Sequence, residues 1–340
     1  MRLAGLLGAA AVALACAAPA QAALECGDSV TKDRKLTKNL TCPASTTALT
    51  ITGDNVTLDL NGHSIAGGGM NSYGVLIDGV NRPKVIDGVI RSFDYGVRAI
   101  DSSKLTLLKL DVRNAPANGI RIQQVNGATL RGNDIRNSAS DNINVFASDD
   151  VEVRKNLLKA GGLSMVDGSG YIAAGNRIIE TNGVGIGARH GIAISDATSM
   201  EVTRNYIEDS SASGIGVGSA FTLRIANNEI KGGATTGIGL VSNASGAKVL
   251  DNVVRGAGTN GSGDGIYISS VALANLRGNR VLRSADDGIE NDAGSTPIKR
   301  NVLNKNGDYG LDSVADPFAL NNTATGNGNA AQCTPAAACN

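Results

Sequence analysis

The chain has 340 residues with 31 basic against 31 acidic side chains, so there is no basic surplus to neutralise phosphates and nucleic acid is excluded as an expected partner. Glycine is abundant at 44 residues, tryptophan is absent and aromatics make up 3%, which excludes an ordinary aromatic-filled core. It suits many tight turns around a slim, branched-aliphatic interior.

In chain order, 1–22 reads as a signal peptide. Arg2 is its only charge, Leu3 to Ala15 is apolar, and Ala20-Gln21-Ala22 is a small-x-small cleavage site. Cleavage before Cys16, as in a lipoprotein, is the alternative, but Ala13-Leu14-Ala15-Cys16 fits that box poorly. No later apolar run is long enough to span a membrane. Removing the segment leaves Cys26, Cys42, Cys333 and Cys339, as expected in an oxidising compartment. The simplest pairing, Cys26–Cys42 and Cys333–Cys339, staples each end of the chain. Residues 23–50 read as an N-terminal cap and 326–340 as a C-terminal cap.

Between them a phrase returns: Gly-Ile-x-apolar, a short gap, then apolar-x-apolar-x-x-Asn-x-apolar. Its glycines or their stand-ins are Gly74, Gly96, Gly119, Asn142, Gly162, Gly191, Gly214, Gly237, Gly265, Gly288 and Gly310, stepping by 20 to 29 residues. Asparagine recurs from Asn133 to Asn322 on nearly the same beat. Two independent markers at one period define a repeat array. Each coil holds three short alternating runs, which read as half-buried strands, and none shows helical spacing over ten residues. The expected fold is all-β, a right-handed parallel β-helix over 51–325 with about 12 coils of three strands and disulfide-stapled caps. Leucine-rich repeats lack the Gly-Ile-x-Ile phrase, and a hexapeptide helix does not fit the uneven steps.

Asn118-Gly119-Ile120-Arg121-Ile122 and Val202-Thr203-Arg204-Asn205-Tyr206-Ile207 resemble repeats of the pectate-lyase-like superfamily. Cys26-Gly27-Asp28, Leu40-Thr41-Cys42-Pro43 and Leu58-Asp59-Leu60-Asn61-Gly62-His63 resemble exported bacterial members of its β-helix repeat group. The resemblance covers about 26–322. It implies a periplasmic or extracellular protein acting on an acidic, uronate-containing polysaccharide as a lyase or C5-epimerase. The same superfamily includes non-catalytic members, so an envelope or surface protein binding glycan or a protein partner is the alternative. No Asp-Pro-His motif of the mannuronan epimerases occurs, and of the polygalacturonase set only Arg189-His190-Gly191 resembles a fragment.

Alternation places one outward row on the first strand of each coil: Leu76, Arg98, Arg121, Asn144, Ser164, Ala193, Gly216, Gly239, Tyr267, Glu290 and Asp312. It runs from basic through small to acidic. In most coils the next glycine follows the ladder asparagine by nine positions, but Gly191 follows Asn176 by fifteen and Gly265 follows Asn252 by thirteen. Two long turns flanking Ala193, Gly216 and Gly239 predict a walled groove. Arg189, His190 and Tyr267 border it and are the catalytic candidates, since a guanidinium can neutralise a uronate carboxylate and His or Tyr can transfer protons. Arg98, Arg121 and Asn144 are candidates for binding substrate. Asp264, Asp287, Glu290 and Asp312 bring carboxylates onto neighbouring coils, where repulsion demands a proton or a cation. Ca²⁺ is the candidate, at Asp287 and Glu290, and no other cofactor is expected. The protein is expected to be a monomer.

Overall fold

The computed structural model describes residues 22–181, 190–269, 273–293, 296–314 and 319–340. The signal segment therefore lies outside the described residues except for Ala22.

The sequence period becomes a stack of coils because each alternating run buries one face and pairs edge-on with its counterpart a coil away. Every strand pairing among the described residues is parallel. The first-strand stack begins at Asp28–Val30 against Leu49–Ile51 and ends with Leu311 against Cys333, giving about 13 turns. The segment expected to cap the N-terminus is itself built as a coil. Arg34–Lys35 pairs with Leu58–Asp59, and Leu40–Thr41 with Ile65–Ala66. Disulfides join Cys26 to Cys42 and Cys333 to Cys339, one at each end, as expected.

The interior is columns of Ile, Val and Leu, such as Ile192, Ile215, Ile238, Ile266 and Ile289, all fully buried. Tyr171 is an exception in size. Its buried hydroxyl donates to the Val166 carbonyl at 3.1 Å and accepts from the Ser148 amide at 3.3 Å, so no polar atom is stranded.

The asparagine ladder runs unbroken from Asn133 to Asn322. Asn228 is representative. Its Oδ1 accepts from the Asn205 amide at 2.9 Å and from Asn205 Nδ2 at 3.0 Å, while its own Nδ2 donates to the Val202 carbonyl and to Asn252 Oδ1, both at 2.9 Å. The residue before each ladder asparagine is left-handed, including the non-glycines Lys155, Arg204, Asp251 and Arg300. That conformation costs roughly 1–2 kcal/mol for an L-residue, and the buried amide bonds of the ladder hold the corner in it. A second, shorter ladder was not foreseen. Asn306 bonds Asn327 at 2.9 and 3.0 Å, and Asn327 bonds Gln332 at 3.0 Å.

Candidate functional site: the first-strand face

The outward row exists in the expected register. Leu76 pairs with Arg98, Arg98 with Arg121, Arg121 with Asn144, Asn144 with Ser164 and Ser164 with Ala193. It continues through Gly216, Gly239, Tyr267, Glu290 and Asp312.

Beside it runs a second row that the sequence reading missed, formed by the residue before each phrase glycine. The amides of Gly191, Gly214, Gly237 and Gly265 donate to the carbonyls of Ser213, Thr236, Asp264 and Asp287. His190, Ser213, Thr236, Asp264 and Asp287 thus stand one above another. Upstream, Tyr73 and Tyr95 hold the same place and pair in register. Side chains of this row lean onto the outward row of the next coil. His190 lies on Gly216, Ser213 Oγ is 3.8 Å from where a Gly239 Cβ would be, and Asp264 bonds Glu290.

The three-coil floor of Ala193, Gly216 and Gly239 underlies a cavity of about 370 Å³, a small-molecule size, lined also by His190, Ser213, Thr236 and Tyr267. The floor must be small. A Cβ at Gly216 would come within 2.4 Å of His190 Nδ1 and 2.5 Å of its Cε1. One expected wall lies outside the described residues and the other does not line the cavity. The first long turn falls at 182–189, outside the described residues, and Arg189 with it. The second folds back onto neighbouring corners, where Gly258 and Thr259 donate to the Gly233 carbonyl, and none of 253–264 lines the cavity.

His190 is half-buried and its Nδ1 is sealed from solvent with no hydrogen-bond partner among the described residues. Burial lowers its pKa below the usual histidine value, against an opposing bond to the Ser213 backbone. The imidazole is therefore neutral at neutral pH and carries a lone pair. Tyr267 lies at the other end of the cavity, two register steps from Gly216, or roughly 10 Å. Its hydroxyl donates to Asp292 at 3.2 Å. A bond with Ser269 holds the phenol down, but burial and the Asp292 carboxylate outweigh it and leave its pKa raised. His190 and Tyr267 share one cavity without touching.

Downstream the face turns acidic. Asp264 is buried, accepts from the Asp287 amide at 3.1 Å and bonds Glu290; burial first, then Glu290, pushes its pKa up to about 8. Asp287 accepts from the Tyr309 amide at 2.7 Å, and burial, with Asp286, Asp312 and Asp308 around it, pushes it up to about 7. Burial also raises Glu290 and Asp312. The Ca²⁺ candidates separate: Glu290 goes with Asp264, whereas Asp287 has ligand oxygens within 4.8 Å of those of Asp286 and Asp308. Asp264 and Glu290, in direct hydrogen-bond contact, are too close to flank a sugar as a separated acid and base.

The remaining candidates lie upstream. Arg121 is four register steps from Gly216 and Arg98 five, roughly 19 and 24 Å. Neither reaches the groove. Asn144 sits between, its Nδ2 3.4 Å from Asp141 Oδ2.

The fold is shared with solved structures of low sequence identity. A double mutant of the periplasmic alginate epimerase AlgG superposes with a TM-score of 0.55 at 15% identity over 85% of this chain and 76% of that one. The Dettilon tailspike protein gp208 gives 0.52 at 15% identity, over 82% and 58%. The catalytic domain of a GH87 α-1,3-glucanase, solved with tetrasaccharides, gives 0.50 at 12% identity, over 87% and 64%. No curated protein sequence matches the chain significantly. The profile of the family described as right handed beta helix region matches 73–190, 159–254 and 187–303, so both the parallel stacking and its hand are those of that family, to which this chain belongs.

Proposed function

We propose that the protein is exported and acts on an acidic polysaccharide laid along the first-strand face, taking the C5 proton of a uronate in the groove between His190 and Tyr267. The observation that carries this reading is that His190 and Tyr267, side chains able to transfer protons, line one cavity with a small-residue floor. Neutral His190 accepts the C5 proton. In a lyase, the electron pair left at C5 forms the C4–C5 double bond as the C4–O4 bond breaks, and the Tyr267 hydroxyl protonates O4. In an epimerase, the proton is returned at C5 from the opposite face. Arg189 remains the candidate to neutralise the reacting carboxylate. The fold neighbours support a polysaccharide substrate, since one is named as an alginate epimerase and another as a glucanase holding tetrasaccharides, and the alginate epimerase alone points to a uronate. Two disulfides fit an oxidising compartment.

The test is ultraviolet absorbance of the unsaturated uronate, together with proton exchange at C5, on a panel of uronate polymers. A signal that His190→Ala abolishes supports the reading. No signal on any polymer favours the second reading, a non-catalytic glycan binder, which draws on the sealing of His190 Nδ1 against Gly216 and the absent Asp-Pro-His motif.

A further inference from the structure

The groove leaves the basic end of the face without a task. Arginines on the other two strand faces of these and the next coil are neutralised locally: Arg113 by Asp111, Arg136 by Asp134, Arg154 by Glu152. Arg98 and Arg121, opposite each other in register, have no carboxylate within ion-pair distance among the described residues. Like charges directly opposite on neighbouring strands repel, so the scaffold holds an uncompensated pair.

It also holds Arg98 in a fixed pose. The guanidinium carbon lies 5.3 Å from the ring centres of both Tyr73 and Tyr95. The rings are 5.7 Å apart and tilted by 32°. Arg98 Nη1 donates to the Tyr73 hydroxyl at 2.9 Å. The Nε–H groups of Arg98 and Arg121 are buried with no acceptor among the described residues, so both stems are packed and only the outer nitrogens are left to meet a ligand. Arg121 Nη2 has a long contact of 3.5 Å to Gln123 Oε1 and nothing charged. A stacked, pre-oriented guanidinium loses little freedom when it binds a planar oxyanion.

We propose that Tyr73, Tyr95, Arg98 and Arg121 form an anchoring subsite for an oxyanion-bearing sugar, a uronate carboxylate or a sulfate ester. It lies on the same track as the groove and several sugar units upstream of it. The assignment rests on the polysaccharide reading for its ligand and not on any reaction in the groove. An anion bridging the two guanidinium groups removes their repulsion, and the distance to the groove sets a minimum chain length for a ligand that fills both.

The test is titration calorimetry of the full chain with an oligouronate, a sulfated oligosaccharide and a neutral oligoglucan of equal length. The anionic ligands are expected to bind and the neutral one to bind far more weakly. Arg98→Gln should weaken anionic binding by roughly 10–100-fold, the range for a hydrogen bond to a charged group. Arg98→Lys should recover little, because an ammonium lacks the fork. Tyr73→Phe, which keeps the ring, should weaken it several-fold, so the proposal stays testable if Arg98→Gln disturbs the coil. Preference between the two anionic ligands decides carboxylate against sulfate. Equal affinity for the neutral ligand, or Arg98→Gln and Arg121→Gln variants that bind like the parent, overturns the proposal. Anion binding without turnover would end the catalytic reading and leave this subsite standing. Turnover indifferent to Arg98 and Arg121 would do the reverse.

Discussion

The two ends of the first-strand face use the same two rows and opposite chemistry. At Tyr73 to Arg121 the rows carry rings and guanidinium groups with no carboxylate partners among the described residues. At Asp264 to Asp312 they carry carboxyls whose pKa values burial raises, Asp264 to about 8 and Asp287 to about 7. The scaffolds beneath differ as well. The N-terminal coils are long strands that pair around their corners, Ser64–Asp78, Lys84–Ile100 and Ser103–Arg113. The later coils are mostly three-residue strands joined by ladder corners. Gly88 and Leu110 stand where the asparagines come later and pair strand to strand. Corner geometry and face chemistry are thus set by different residues, the ladder asparagines at the corners and the two first-strand rows on the face.

The most damaging test of that division is at the ladder. Asn228→Ala leaves the Asn205 amide without its acceptor and takes one bond each from Asn205 Nδ2, which keeps the Ala173 carbonyl, from the Val202 carbonyl, and from Asn252 Oδ1, which keeps the amide of residue 228. At about 1–3 kcal/mol for each buried group left unsatisfied, and with partial relaxation, a loss of about 3–5 kcal/mol in denaturant unfolding is expected. A loss under about 1 kcal/mol would mean the ladder is not what holds the later corners.

Next in size is the floor between the two ends. Gly216→Ala drives a methyl into the His190 ring, so His190 must leave its seat while the coil stays paired. If the groove acts as proposed, turnover should fall by roughly 100-fold or more, as when a general base is misplaced, with unfolding little changed. Retained turnover would show that the seat of His190 is irrelevant. If the parent protein turns over substrate as proposed, the lowered His190 value should place the acid limb of the rate profile below the usual histidine range, because a neutral base is lost only as pH falls through its folded pKa.

Much of this was legible beforehand, and the reason is geometric. Alternation fixes which residues share a face and the glycine beat fixes which of them are neighbours, so the row from Leu76 to Asp312 could be written from sequence. The row of Tyr73, Tyr95, His190, Ser213, Thr236 and Asp264 could not. It has no recurring residue type, and its side chains cross from their own coil to rest on the next. Its one signal was position, always before the phrase glycine. The same crossing explains why Asp264 was not matched with Glu290. Neither the aromatic setting of Arg98 nor the distance of both arginines from the groove follows from periodicity until the register steps are counted.

The smallest expected effect tests the acid end by pH. Asp264 and Asp287 carry folded values of about 8 and about 7 against an ordinary 3.8, so the folded chain binds protons that the unfolded chain has released. That stability is fully present below the ordinary carboxyl range and is lost as pH rises through the folded values. Unfolding free energy should therefore fall by roughly 1–2 kcal/mol between about pH 5 and about pH 8, discounted for relaxation and coupling. Asp264→Asn keeps an acceptor for the Asp287 amide and a donor for Glu290. It should flatten most of the slope and make the protein more stable than the parent at the alkaline end. An unchanged slope would mean that Asp264 is ionised, with a bound cation or a moved Glu290 in place of the proton. The two ends of the face would then both be charged, and a polyanion would be repelled from one as firmly as the other draws it in.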